Sequence, residues 1–179
     1  MQKTILVIDA NKKRCREFCE LLQNSHYVAT PLYSIDDLAE RAICAGISTN
    51  YETWLIQGDL ELPESSIYRR PPVNITVVTL DTDQECAQAL AAGREDFAAY
   101  ITSQTVVEAN IAAGLPVKQL GSPVFSENLA LSYDKSSTLP TDSLRAEIDS
   151  IITVMHNDGT LTKLSMKWFG KDITKDPSQ

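Results

Sequence analysis

At 179 residues, with 43% hydrophobic and 22% charged residues and a net charge of −8, the chain can bury a sizeable core but lacks the basic face that nucleic acid requires. No apolar run approaches the roughly 18 residues of a membrane helix, so neither nucleic acid nor a membrane is an expected partner. The N-terminus, MQKTILVIDA, runs straight into a strand without a basic stretch, a long apolar core and a small-residue cleavage site, and the expected location is the cytoplasm.

In chain order, the first predicted strand covers residues 3–9, apolar from Thr4 to Ile8, with Asp9 at the carboxyl end where an α/β sheet opens its crevice. Asn11 caps a helix to about Gln23, in which Cys15, Phe18, Cys19 and Leu22 repeat at helical spacing. Lys12, Lys13, Arg14 and Arg16 form its solvated face. A second strand covers 27–33. Ser34 and Asp37 then read as the start of a helix in which Leu38, Ala42 and Ile43 face inward until Gly46. A third strand is expected over 52–58, followed by a polar segment to Arg69 and Arg70.

The stretch from Pro71 to Ser103 reads as strand, helix and strand: 74–80, then Asp83 to Ala92 with Cys86, Leu90 and Ala91 at helical spacing, a stop at Gly93, and 97–102. A βαβ unit implies a parallel sheet. Asn128 to Tyr133 reads as one more strand. Two helices follow, one striped by Leu144, Ile148, Ile151, Ile152 and Met155, the other by Leu161, Leu164 and Trp168.

The expected fold class is α/β: a doubly wound parallel sheet in flavodoxin-like order, extended by a C-terminal strand and helical pair. Cys15, Leu22, Leu38 and Leu90 should be buried. The four cysteines, Cys15, Cys19, Cys44 and Cys86, fall on predicted helical faces and read as reduced packing thiols. Cys15, Cys19 and His26 are too loosely spaced for zinc.

Two resemblances rest on specific residues. ILVIDAN (5–11), LIQGDLELP (55–63) and VVT (77–79) resemble the motifs of a response-regulator receiver. That resemblance implies Asp59 as phosphoacceptor, Thr79 as the helper hydroxyl, and Asp9 with Asp59 as ligands of Mg²⁺. The chain departs from the pattern in having Ala10 after Asp9, and no lysine in Ala98 to Ser103. The segment ALAAGREDFAAYITSQTVVEANIAAGLPVKQLGSPVFSENLALSYDKSS (89–137) resembles the second lobe of a family 3, amino-acid type, solute-binding protein. The tail MHNDGTLTKLSMKWFGKDIT (155–174) resembles that family's closing helices, with Gly159-Thr160 as the turn and Trp168-Phe169-Gly170 as the end. The family's first lobe has no counterpart, and Thr102 and Ser103 stand where its acid is expected.

The expected organisation is a receiver-like part, 1–103, and a solute-binding-like part, 74–174, sharing the βαβ unit 74–103 in one compact domain with a disordered tail at 175–179. Such a composite would have arisen by recombination or engineering. The expected function is non-enzymatic, with weak binding of a small amino-acid-like ligand at Thr102 and Ser103 and no cofactor. The alternative is a signalling domain phosphorylated on Asp59, which would use Mg²⁺. A monomer is expected, because the loop from Ser136 to Thr141 can return the tail to its own chain. The alternative assembly is a dimer with exchanged tails.

Overall fold

The computed structural model describes residues 4–8, 12–25, 28–134, 136, 138 and 141–175. Its elements are β1 (Thr4–Ile8), α1 (Lys12–Asn24), β2 (Val28–Leu32), β3 (Ala42–Gly46), α2 (Asn50–Leu55), β4 (Thr76–Leu80), α3 (Asp83–Ala91), β5 (Ala99–Tyr100), α4 (Gln104–Ala112), α5 (Thr141–Asn157) and α6 (Thr160–Phe169). The chain divides into two compact units, Met1–Phe125 and Ser126–Gln179, a boundary that does not coincide with either end of the shared segment 74–103.

The pairing is parallel, as expected, but it is distributed over two sheets. β1 pairs with β2, Thr4 opposite Val28, and β3 lies between β4 and β5 in a three-stranded sheet. One doubly wound sheet in flavodoxin-like order is therefore not what the described residues form.

Two element assignments change, for identifiable reasons. The helix expected from Ser34 to Gly46 is a single 3₁₀ turn, Ile35–Leu38, followed by β3. Asp37 does cap, its Oδ2 accepting the Tyr33 and Ser34 amides at 2.7 and 2.9 Å, but Ala39 leaves the helical region and Glu40 turns to φ 61°. The short run AICAG carries both periodicities, and the strand wins because ladders on both edges satisfy its backbone. Conversely, the strand expected over 52–58 is α2. Thr49 Oγ1 accepts the Glu52 amide, Glu52 Oε2 accepts the Ser48 amide, and Tyr51, Trp54 and Leu55 share one helical face.

β3 separates two clusters. Ile43 and Ala45 join Leu32, Leu38, Trp54, Leu55 and Leu60, while Cys44 packs with Cys86 and Phe97 under α3. The indole Nε1 of Trp54 donates to the Arg69 carbonyl at 2.9 Å, and the unit closes where Ile67 bridges Phe125. Of the residues expected inside, Cys15 and Leu38 are buried, whereas Leu22 and Leu90 are half-buried.

The thiol expectation holds for Cys15 and Cys19, which are reduced and buried on α1. Burial, together with its neighbour Cys15, pushes the Cys19 thiol up. It fails for Cys44 and Cys86, which form a disulfide. Cys44 lies on a strand rather than a helix and so faces α3 directly. Tying residues 42 apart in sequence is worth about 4 kcal/mol through the unfolded chain, interpolating between loop lengths.

In the second unit α5 and α6 meet at Gly159, whose φ of 76° favours a residue without a Cβ, and Gly170 (φ 68°) ends α6 in the same way. The Gly159-Thr160 turn and the Trp168-Phe169-Gly170 ending are where the sequence places them. The segment after α6 folds back onto it: Ser165 Oγ donates to the Lys171 carbonyl at 2.7 Å and accepts the Ile173 amide at 2.9 Å. Asp172 accepts the Thr174 hydroxyl and amide and the Thr162 hydroxyl, which hold its carboxyl down at about 2. Residues 128–133, expected as a strand, are irregular, with Leu129 exposed. Of the expected tail 175–179, residues 176–179 lie outside the described residues.

Two measurements test these contacts. Trp54→Phe should lose about 1 kcal/mol with its hydrogen bond, and Trp54→Ala about 3 to 5 kcal/mol with its packing, in urea unfolding followed by fluorescence and circular dichroism. No loss in Trp54→Phe would show that the indole bond to Arg69 contributes nothing. Because Asp172 is depressed from its unfolded value of about 3.9, its contribution is complete above about pH 5 and disappears as pH falls through about 2. Acid titration of helicity should therefore show a smaller loss in Asp172→Asn than in the parent across that window.

Candidate functional site

At the carboxyl edge of the three-stranded sheet, three strand-to-helix connections come together: 46–49 into α2, 80–83 into α3 and 101–103 into α4. Each supplies a capping hydroxyl. Thr49 accepts from the Glu52 amide at 3.2 Å, Thr82 from Glu85 at 3.2 Å, and Ser103 from Val106 at 3.4 Å. These caps satisfy first-turn amides and fix where each connection ends.

Asp83 joins the three. Its Oδ1 accepts the Gly46 amide at 2.8 Å and its Oδ2 accepts the Thr102 hydroxyl at 2.9 Å, so one half-buried carboxylate ties the ends of β3 and β5 to the start of α3. Among the described residues no ion pair is formed by Asp83. The approach at Gly46 is close enough to exclude any side chain: a Cβ there would stand 2.5 Å from Asp83 Oδ1 and 3.0 Å from the Asp83 amide. Gly46 is thus fixed by contact rather than by a left-handed backbone. Thr49 Oγ1 donates to the Gly46 carbonyl at 2.7 Å, so Gly46 is held through both its amide and its carbonyl. The edge offers amide and hydroxyl donors beside one anchored carboxylate, a combination that suits a small zwitterion.

Thr102 and Ser103, named from the sequence, lie at this edge. Gly46, Thr49 and Asp83 lie beside them without a signal of their own in the sequence, where Gly46 reads only as a helix end and Asp83 only as a helix start; Thr49 with Glu52 and Thr82 with Glu85 are legible capping pairs, but the strand that brings Gly46 here reads as a helix. The receiver-type residues are placed differently. Asp59 lies in the turn after α2 rather than at a strand end, its Oδ1 accepting the Glu61 amide at 2.9 Å. Thr79 is exposed on the edge strand β4, and Asp9 lies outside the described residues. No group of three or more His, Cys, Asp or Glu able to hold a metal occurs among the described residues. No helix among them is long and apolar enough to cross a membrane.

The chain is similar to curated proteins over most of its length. It is 33% identical over 146 residues to a probable amino-acid-binding protein, YxeM, of Bacillus subtilis (strain 168), which is 81% of this chain and 50% of that protein. It is 30% identical over 145 residues to a putative amino-acid ABC transporter-binding protein, PatH, of Vibrio harveyi, covering 80% of this chain and 52% of the relative. It is 30% identical over 143 residues to the L-cystine-binding protein TcyJ of Escherichia coli (strain K12), covering 78% and 46%. The chain thus spans about half the length of these relatives. No protein-family model matches it, and no solved structure matches it significantly. A match over 146 of 179 residues leaves too little outside it for residues 1–73 to come from another family. The receiver-like half and the composite origin expected from the sequence are therefore not supported.

Incubation with Mg²⁺ and acetyl phosphate should leave the intact mass of the protein unchanged, because Asp59 is an exposed loop carboxylate turned to the Glu61 amide instead of a carboxylate at a strand end. A stoichiometric adduct abolished by Asp59→Asn would restore the signalling alternative.

Proposed function

We propose that the chain is a non-enzymatic binder of small amino acids, with its site at the carboxyl edge of β4, β3 and β5 around Gly46, Thr49, Asp83, Thr102 and Ser103. The observation that carries this reading is the anchoring of three capped connections by the Asp83 carboxylate, in a chain whose relatives are named for amino-acid binding. A free amino acid brings one carboxylate and one ammonium. The hydroxyl of Ser103 and the amides of the connections are donors for the first, and Asp83, oriented by the proton it accepts from Thr102, has lone pairs left for the second. The chemistry needs no metal or cofactor.

Affinity is expected to be low. A ligand resting on this sheet edge keeps its other side in water, so neither charge gains a fully desolvated partner. This edge should bind in the millimolar range, about −4 kcal/mol.

Titration calorimetry and thermal-shift measurements with the twenty amino acids test this reading, since a ligand of the native state raises its apparent stability. One or a few amino acids should give a saturating millimolar response, which Thr102→Val and Ser103→Ala should weaken about fivefold each through a lost hydrogen bond of about 1 kcal/mol. The absence of any shift at concentrations about tenfold above the expected Kd would overturn it.

A further inference from the structure

The disulfide lies beside the proposed site. Cys44 is two residues before Gly46 on β3, and Cys86 is one helical turn after Asp83 on α3. The covalent bond and the Gly46 amide to Asp83 hydrogen bond therefore span the same pair of elements, and both cysteines are wholly buried between them. We propose that oxidation of Cys44 and Cys86 is the step that completes the ligand cradle: the bond fixes α3 against β3, so that Asp83 meets Gly46 and Thr102 together.

The physical reason is room. Two thiols cannot approach as two bonded sulfurs do, and at a site with no exposed surface the extra separation must be taken up by moving a neighbouring element. β3 is held by ladders on both edges, whereas α3 is held by side-chain packing, so the first turn of α3 is what shifts. Asp83 moves with it. Its carboxylate then leaves the Gly46 amide, and the Thr102 hydroxyl loses the acceptor that orients it.

The chemistry balances as thiol–disulfide exchange. A thiolate of one cysteine attacks a disulfide RSSR, releasing one RSH; the second thiolate displaces the remaining R group from the mixed disulfide as a second RSH. The cysteines lose two electrons and two protons, and RSSR gains both. The oxidant is a disulfide, either oxidised glutathione or a protein of that class. Because the finished bond is wholly buried, exchange belongs to the folding chain and not to the folded one. The chain would accordingly mature in an oxidising compartment instead of the cytoplasm that its N-terminus suggested.

This inference rests on the proposed amino-acid site, and the experiment separates the two. The whole chain is refolded from denaturant either with oxidised glutathione or with excess dithiothreitol, and thiols are counted in denaturant with a chromogenic disulfide reagent. The oxidised preparation should titrate two thiols, Cys15 and Cys19, and the reduced one all four. Hydrogen exchange of the Gly46 amide, read without ligand, should be at least tenfold faster in the reduced protein, and the amino-acid response should fall at least as far. A double variant, Cys44→Ala with Cys86→Ala, in which the smaller side chains leave room, should protect the Gly46 amide better than the reduced parent does. Four thiols after oxidative refolding, or equal Gly46 protection in the oxidised and reduced proteins, would overturn the inference. Redox-dependent Gly46 protection with no amino-acid response from the oxidised protein would support the cradle and sink the binding function.

Discussion

The first unit depends on a five-residue strand covered on both faces. Ala42–Gly46 has a ladder on each edge, the Trp54 cluster on one face and the Cys86 cluster on the other, so its side chains must be small or shaped to fit. Alanine, isoleucine, cysteine, alanine and glycine meet that condition. The last two positions do different work: Ala45 admits the Trp54 side of the core, and Gly46 admits a carboxylate. A bulkier residue at Gly46 would displace Asp83, whereas one at Ala45 would displace apolar packing alone, so structure and site part company within two residues.

That division explains what the sequence makes legible. β4, α3 and the region of β5 are legible because each has one dominant period bounded by punctuation, Pro71 and Pro72 before and Gly93 between. The α5–α6 hairpin is legible for the same reason, with Gly159 and Gly170 marking its turns. β3 and α2 are not, because AICAG is too short to show a period and because Tyr51 to Leu55 looks like a β-rich run unless Thr49 and Glu52 are taken as a cap. Asp83 was hidden by its ordinariness: an acid in the first turn of a helix is common, and only the position of Gly46 shows that this one reaches across the sheet. The motif LIQGDLELP misled in a related way. Its aspartate follows a helix, so matching letters met a different backbone.

Charge adds a further constraint. In a chain carrying −8, an anion meets general repulsion, so a ligand carboxylate needs local donors that bring no formal charge of their own. Amides at the starts of helices and capping hydroxyls are donors of that kind, and the carboxyl edge of a parallel sheet gathers them. On the amino-acid reading proposed above, Asp83 would set the selectivity. A simple carboxylic acid would face the same donors beside an uncompensated anion, whereas an amino acid brings the ammonium that compensates it. The carboxylate that organises the connections would thereby also disfavour ligands most like an amino acid but lacking its amine.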